Sequence, residues 1–176
     1  ALMRGTQTRS FQEIYDALES VGANLGFSAS AHNITFGGRC LAEDLPLLLT
    51  LLAEALRAPV FPGQQIERLR AQMLTHLAIR AQDTADMASL TFDSLLFPNH
   101  PYGLPEDGYI ETIQRIQTDD LFAFHQKHFG PRGLVIVIVG GIGVEQATQS
   151  VIRTLGDWQH PEQVVLAPLP TITPPT

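Results

Sequence analysis

The sequence predicts an α+β fold built on an antiparallel sheet, and three observations carry that prediction. A capped helical repeat opens the chain near Ser10. A β-rich stretch centred on a turn follows at once, from Asn24 to Cys40. One further strand signal, Leu134 to Val139, comes only after a long run of helical periodicity. The order helix, hairpin, helices, strand, helix lacks the strict alternation that builds a parallel sheet.

Taken in order, Ser10-Phe11-Gln12-Glu13 is a capping box, with Phe11, Ile14, Leu18 and Val21 behind it at helical spacing. Gly22 is placed to stop that helix. Between Asn24 and Cys40 the residues turn small, β-branched and aromatic, with Phe27, Ile34 and Phe36 expected inside and Ala31-His32-Asn33 at the turn. Asp44 is expected to cap a helix with Pro46 in its first turn, running to Ala58 before Pro59. A second helix starts after Pro62 and sets Ile66, Leu69, Met73 and Leu77 on one face. Asp83 caps a third, reaching Phe97 before Pro98. A loop from Asn99 to Gly108 holds His100-Pro101-Tyr102-Gly103, and Thr118-Asp119-Asp120 opens a helix ending near Phe129. Leu134–Val139 reads as a strand buried on both faces. Gly140, Gly141 and Gly143 then turn the chain into a last helix from about Val144 to Leu155. Residues 1–160 read as one domain. The tail 161–176, with five of the 12 prolines, reads as an interdomain linker or a closing strand.

Composition narrows the function classes. Hydrophobic residues make up 44% and charged residues 16%, the balance of a chain that folds around a core. The net charge is −7 and no basic run occurs, so no nucleic-acid partner is expected. The longest apolar stretch is far too short to span a bilayer, so no membrane partner is expected either. An acidic surface serves solubility or the handling of basic peptides. Cys40 is the one cysteine, which excludes an internal disulfide. With no charged segment leading into an apolar one at the start, a cytoplasmic setting is expected.

Four patterns resemble chemistry. The strand-glycine run through Gly143 looks like a dinucleotide turn, but Gln146 replaces the third glycine and too few residues follow for the next βα unit. His125 and His128 have metal-ligand spacing on one helix, yet no acid lies at i+4 of either, and the last turn of a helix favours such residues for its dipole. No Gly-x-Ser-x-Gly elbow is present, and no His lies near Cys40 in sequence. Glu43-Asp44 and Asp119-Asp120 sit at helix starts, where capping explains them.

One set of segments runs in a fixed order: Arg4-Gly5-Thr6, Arg9-Ser10, Glu13-Ile14, Leu18-Glu19 and Gly22-Ala23. Further along come Glu43-Asp44-Leu45-Pro46, Leu51-Leu52-Ala53-Glu54, Ile66-Glu67-Arg68, His100-Pro101-Tyr102-Gly103, Asp120-Leu121, Val135–Gly140 and Gly156-Asp157-Trp158. Together these segments resemble the pitrilysin-like (M16, insulinase-type) zinc peptidase family, as the first domain of a half-molecule. The resemblance implies an antiparallel sheet covered on one face by helices, the LuxS and mitochondrial processing peptidase-like fold. Active members carry His-x-x-Glu-His just ahead of the Arg-Gly-Thr segment, where two His bind zinc and the Glu serves as general base. By that spacing the motif, and the family's first strands before it, would lie upstream of Ala1. The family's third zinc ligand is a Glu ten residues after the Ile of Ile-Glu-Arg, which falls on His76. The resemblance thus implies no catalytic and no metal residue in this chain, and zinc only in the parent family.

The family also binds peptide by strand addition at an edge that here falls on Leu25, Gly26, Phe27, Ser28, Ala29 and Ser30, with Gly26-Phe27 where active members often have Asn-Ala. The expected role is a non-catalytic domain of a metallopeptidase that walls the chamber, contacts peptide or unfolded polypeptide and holds a second half or homologous subunit. Two alternatives stay open: a truncated piece of an active zinc endopeptidase whose motif lies just upstream, and a pure structural or assembly module.

Overall fold

The computed structural model describes residues 1–164 and 168–172. Helix α1, Phe11–Ser20, begins as its sequence dictates. The Ser10 hydroxyl accepts from the Glu13 amide, and the Glu13 carboxylate accepts from the Ser10 amide. It ends in a paired capping motif: the Gly22 amide donates to the Glu19 carbonyl and the Ala23 amide to the Leu18 carbonyl. Gly22 sits at φ 60°, a left-handed conformation that glycine adopts without the Cβ penalty.

Strands β1, Asn24–Ala29, and β2, Ile34–Arg39, form a two-stranded antiparallel sheet in which Asn24 faces Arg39 and Ala29 faces Ile34. Leu25, Phe27 and Phe36 lie on one face and pack on the helical core, while their neighbours in sequence point away. Ile34 does not join them. Near the tip of the hairpin, opposite Ala29, it stays exposed.

Helix α2, Leu45–Arg57, is the centre of the molecule. Leu45, Leu49, Leu51, Leu52, Ala53, Ala55 and Leu56 are all buried, so the helix is apolar around most of its circumference. Leu51 joins Ile14 and Leu18 of α1 in one cluster, and Leu49, Leu52 and Leu56 join Leu2, Phe61 and Ile66 in another. Asp44 occupies the N-cap, but its side chain caps nothing. It lies in a short 3-10 turn, Ala42–Asp44, that leads into α2, and its backbone is already helical. Thr6, buried beneath the N-terminal segment, donates to Glu54, which also accepts from Arg9 and so ties the start of the chain to α2.

Helix α3, Gly63–Arg80, and helix α4, Thr84–Leu96, come next, with α3 packed against the short helix that follows the Pro101–Gly103 turn. Ile66 and Leu77 of α3 are buried, whereas Leu69 and Met73 are only half-buried. Asp83 caps α4 by accepting from the amides of Ala85 and Asp86. No residue of α4 is buried, and it rests mainly on the 3-10 turn Pro101–Gly103. Helix α5, Ile110–Arg115, was not visible in the sequence pattern, since six residues are too short to show a period. It is held by Arg70, whose guanidinium donates to the carbonyls of Ile113 and Ile116. Helix α6, Thr118–His128, and helix α7, Val144–Leu155, complete the order, with α7 packed against α2.

Leu134–Val139 departs from its sequence reading. It is extended but pairs with no strand among the described residues, and it is not buried on both faces. Leu134, Ile136 and Ile138 are half-buried, while Val135, Val137 and Val139 are 75%, 80% and 92% exposed. A continuous apolar run hides which face is inward, and only packing against α2 and its neighbours reveals the period of two. In the tail, the Val164 amide donates to the Lys127 carbonyl and His100 reaches Pro170, while part of the expected closing strand lies outside the described residues.

Candidate functional site

The sheet places the edge assigned from sequence as follows. Leu25, Gly26, Phe27, Ser28 and Ala29 lie in β1, and Ser30 begins the turn, where its amide donates to the Asn33 carbonyl 2.9 Å away. β1 pairs with β2 on one side only, so among the described residues its other backbone edge carries no strand. Leu25 and Phe27 anchor the strand from below, and Phe27 meets Phe36 across the pair at 6.2 Å between ring centroids. Ser28 and Thr35 join their hydroxyls across the same pair at 2.6 Å. Gly26 has open space where a Cβ would stand, so nothing packed there requires glycine.

The hairpin turn leans on a second feature. The Ala31 amide donates to the Glu106 carboxylate at 3.0 Å, and His32 Nε2 lies 3.0 Å from the Tyr102 hydroxyl. Those contacts bring the turn alongside an open cleft of about 630 Å³ between α3, α4 and the Pro101–Asp107 loop. Asp86, Asp93, Glu106 and Asp107 line it against Arg80 and His76, so carboxylates outnumber cations. His100, next to Pro101 of the cleft wall, is buried. The Tyr102 amide donates to His100 Nδ1, which makes Nε2 the protonated nitrogen that donates to the Pro170 carbonyl at 3.1 Å. His100 therefore seats the tail beside the cleft, where Leu169 also contributes to the wall. These joints were missed from sequence, since residues 70 apart carry no local signal of their contact.

His76 lies in this cleft, exposed, with Nε2 3.4 Å from Asp107 Oδ2. Arg80 lies 3.5 Å from the same carboxylate oxygen and also donates to the Gly108 carbonyl. One imidazole, one carboxylate and a neighbouring guanidinium do not fit zinc, which binds through three or four N, S or O donors with no cation among them. Among the described residues no group of three or more His, Cys, Asp or Glu side chains is gathered to hold a metal ion. Glu67 faces Arg70, and Glu54 faces Arg9, so both carboxylates are engaged elsewhere.

The remaining sequence candidates separate. His125 donates from Nε2 to the Leu56 carbonyl at 2.8 Å and stacks on Phe129, while His128 packs on Phe124, so the two rings serve different neighbours. Burial pushes the His125 pKa below its usual value, partly opposed by the bond to Leu56. Cys40 is half-buried, and burial pushes its thiol up, away from nucleophilic use. A Cβ at Gly140, Gly141 or Gly143 would meet open space, so no neighbouring group requires glycine there.

Comparison with known proteins assigns this arrangement. Residues 1–99 match the family model described as Insulinase (Peptidase family M16), and residues 115–176 match the one described as Peptidase M16 inactive domain. A protein of Streptomyces coelicolor called an uncharacterized zinc protease is 24% identical over 170 residues, which is 95% of this chain and 37% of that protein. A non-peptidase homolog of Helicobacter pylori is 29% identical over 154 residues, 88% of this chain and 36% of that protein. The crystal structure of a peptidase M16 inactive domain from Pseudomonas fluorescens superposes with a TM-score of 0.88 at 26% identity, over 99% of this chain and 42% of that one. The chain thus spans well under half the length of these relatives. With an α+β fold matched along nearly its whole length and a family model covering more than half of it, the chain belongs to peptidase family M16.

Proposed function

We propose that this chain is a non-catalytic domain of an M16 metallopeptidase, which walls the chamber, contacts extended polypeptide and docks a second half or homologous subunit. The observation that carries the reading is the one-sided pairing of β1 beside a cleft that holds His76 and Arg80 in place of a metal donor set. An unpaired strand edge offers alternating amides and carbonyls, which an extended peptide can pair with regardless of most of its sequence. The acidic cleft next to the turn favours peptides with positive charge. Zinc and its hydroxide belong, on this reading, to another part of the parent protein.

The test is a titration with an unstructured, lysine-containing peptide, followed by amide shifts along the chain. Shifts concentrated at Leu25–Ser30 and weakened by salt support the proposal. Shifts confined to other surfaces, or none at millimolar peptide, refute peptide contact and leave the assembly reading. That second reading has an observation of its own: subunit 1 of the mouse mitochondrial cytochrome b-c1 complex is 25% identical over 146 residues.

A further inference from the structure

The pairing of the hairpin decides which backbone groups of β1 are free. The Ser30 amide donates to the Asn33 carbonyl at 2.9 Å, so these two residues form a hydrogen-bonded pair. Counting back through the register, Ser28 with Thr35, Gly26 with Gly37 and Asn24 with Arg39 are the pairs of the same kind. The even residues of β1 thus direct their amides and carbonyls to β2, and Leu25, Phe27 and Ala29 direct theirs to the open edge. The next odd residue, Ala31, is already taken, because its amide donates to Glu106 Oε1 at 3.0 Å. A carboxylate therefore stands where an added strand would place its next carbonyl. The Tyr102 hydroxyl, 3.0 Å from His32 Nε2, pins the same loop to the turn. His76 and Arg80 both face Asp107, so Glu106 meets no cation among the described residues.

We propose that Glu106 makes β1 a site for polypeptide ends: the edge takes a chain by its free N-terminus, running antiparallel to β1, with the α-ammonium on the Glu106 carboxylate. Two features of the row select this occupant. Glu106 fills the place of the next acceptor, so an added strand stops at Ala29 instead of passing through. Charge then sets its direction. β1 runs toward Glu106, so an antiparallel chain begins there with a positive group that has only donors, which suits a carboxylate with one oxygen still unbonded. A parallel chain would end there with its own carboxylate against Glu106 and the adjacent Asp107, and like charges repel. This inference rests on the peptide reading of β1 and adds to it the residue that sets direction and register.

The test titrates the complete chain with a short valine- and threonine-rich peptide, amidated at its C-terminus, whose N-terminus is either free or acetylated. The free peptide should bind about fivefold more tightly, a difference within the range of an exposed charge pair. Glu106→Gln keeps an acceptor for Ala31 and removes the charge. It should erase the difference and leave the affinity of the acetylated peptide unchanged. A spin label at the peptide's C-terminus should broaden the amides near Asn24 more than those near Ala29. Equal affinities with shifts at Leu25–Ala29 overturn the proposal and leave the peptide reading standing, whereas no shifts at all overturn both. Broadening centred on Ala29, or full rescue of the acetylated peptide by an internal lysine, also overturns it.

Discussion

At the scale of single residues, the chain shows how much a local motif can specify. Ser10 and Glu13 form their capping box as the sequence spells it, and the bond to the Ser10 amide holds the Glu13 carboxyl below its ordinary range. Ser10→Ala should lower the unfolding free energy by about 1 kcal/mol, read from urea denaturation. Leu51→Ala should cost roughly 2–5 kcal/mol by the same measurement, since Leu51 is 1% exposed between α1 and α2. His125 makes a prediction with a sign. Its folded pKa lies below the ordinary 6.5, so the folded state binds fewer protons than the unfolded chain as pH falls through that value. Its contribution to stability is therefore present above about pH 6.5 and is lost below it. Thermal melting between pH 7.5 and 5.5 should show a falling Tm, and His125→Gln should flatten that slope. The helical spacing of His125 and His128 was plain in the sequence, but their separate tasks were not. The Leu56 carbonyl and the Phe124 ring that occupy them come from tertiary contacts.

At the scale of elements, hairpin and helices were legible wherever a period ran for ten residues or more, as in α1, α2 and α3. The failures share one cause. α5 is too short to display a period. Leu134–Val139 displays only hydrophobicity, which cannot distinguish a strand covered on both faces from one covered on a single face. Gly26 offers a test at this level. It is a strand glycine with no neighbour crowding it, so Gly26→Val should stiffen β1 and raise stability by about 0.5–1 kcal/mol. If β1 receives peptide, the same variant should tighten binding severalfold in the titration, because a more ordered edge loses less entropy on pairing.

At the scale of the whole molecule, the chain belongs to family M16, and on the proposed reading it contributes walls and edges and not the metal. His76→Glu alone should create neither stoichiometric zinc binding nor hydrolysis of a fluorogenic peptide, since Arg80 stays beside Asp107 and no metal-holding group of three or more ligands is gathered among the described residues. Metal analysis and a cleavage assay with added zinc check both points, and turnover by this chain would overturn the non-catalytic reading. What the sequence by itself determined was the class of fold, the helix starts set by caps, and kinship with M16, because these depend on periods and motifs within a few residues of each other. Tertiary structure alone decided which face of Leu134–Val139 is buried, which ring each histidine meets, and that Glu106, Tyr102 and Leu169 gather around one cleft. Those outcomes depend on groups far apart in sequence brought together by the burial of α2, and no local pattern of residues encodes that meeting.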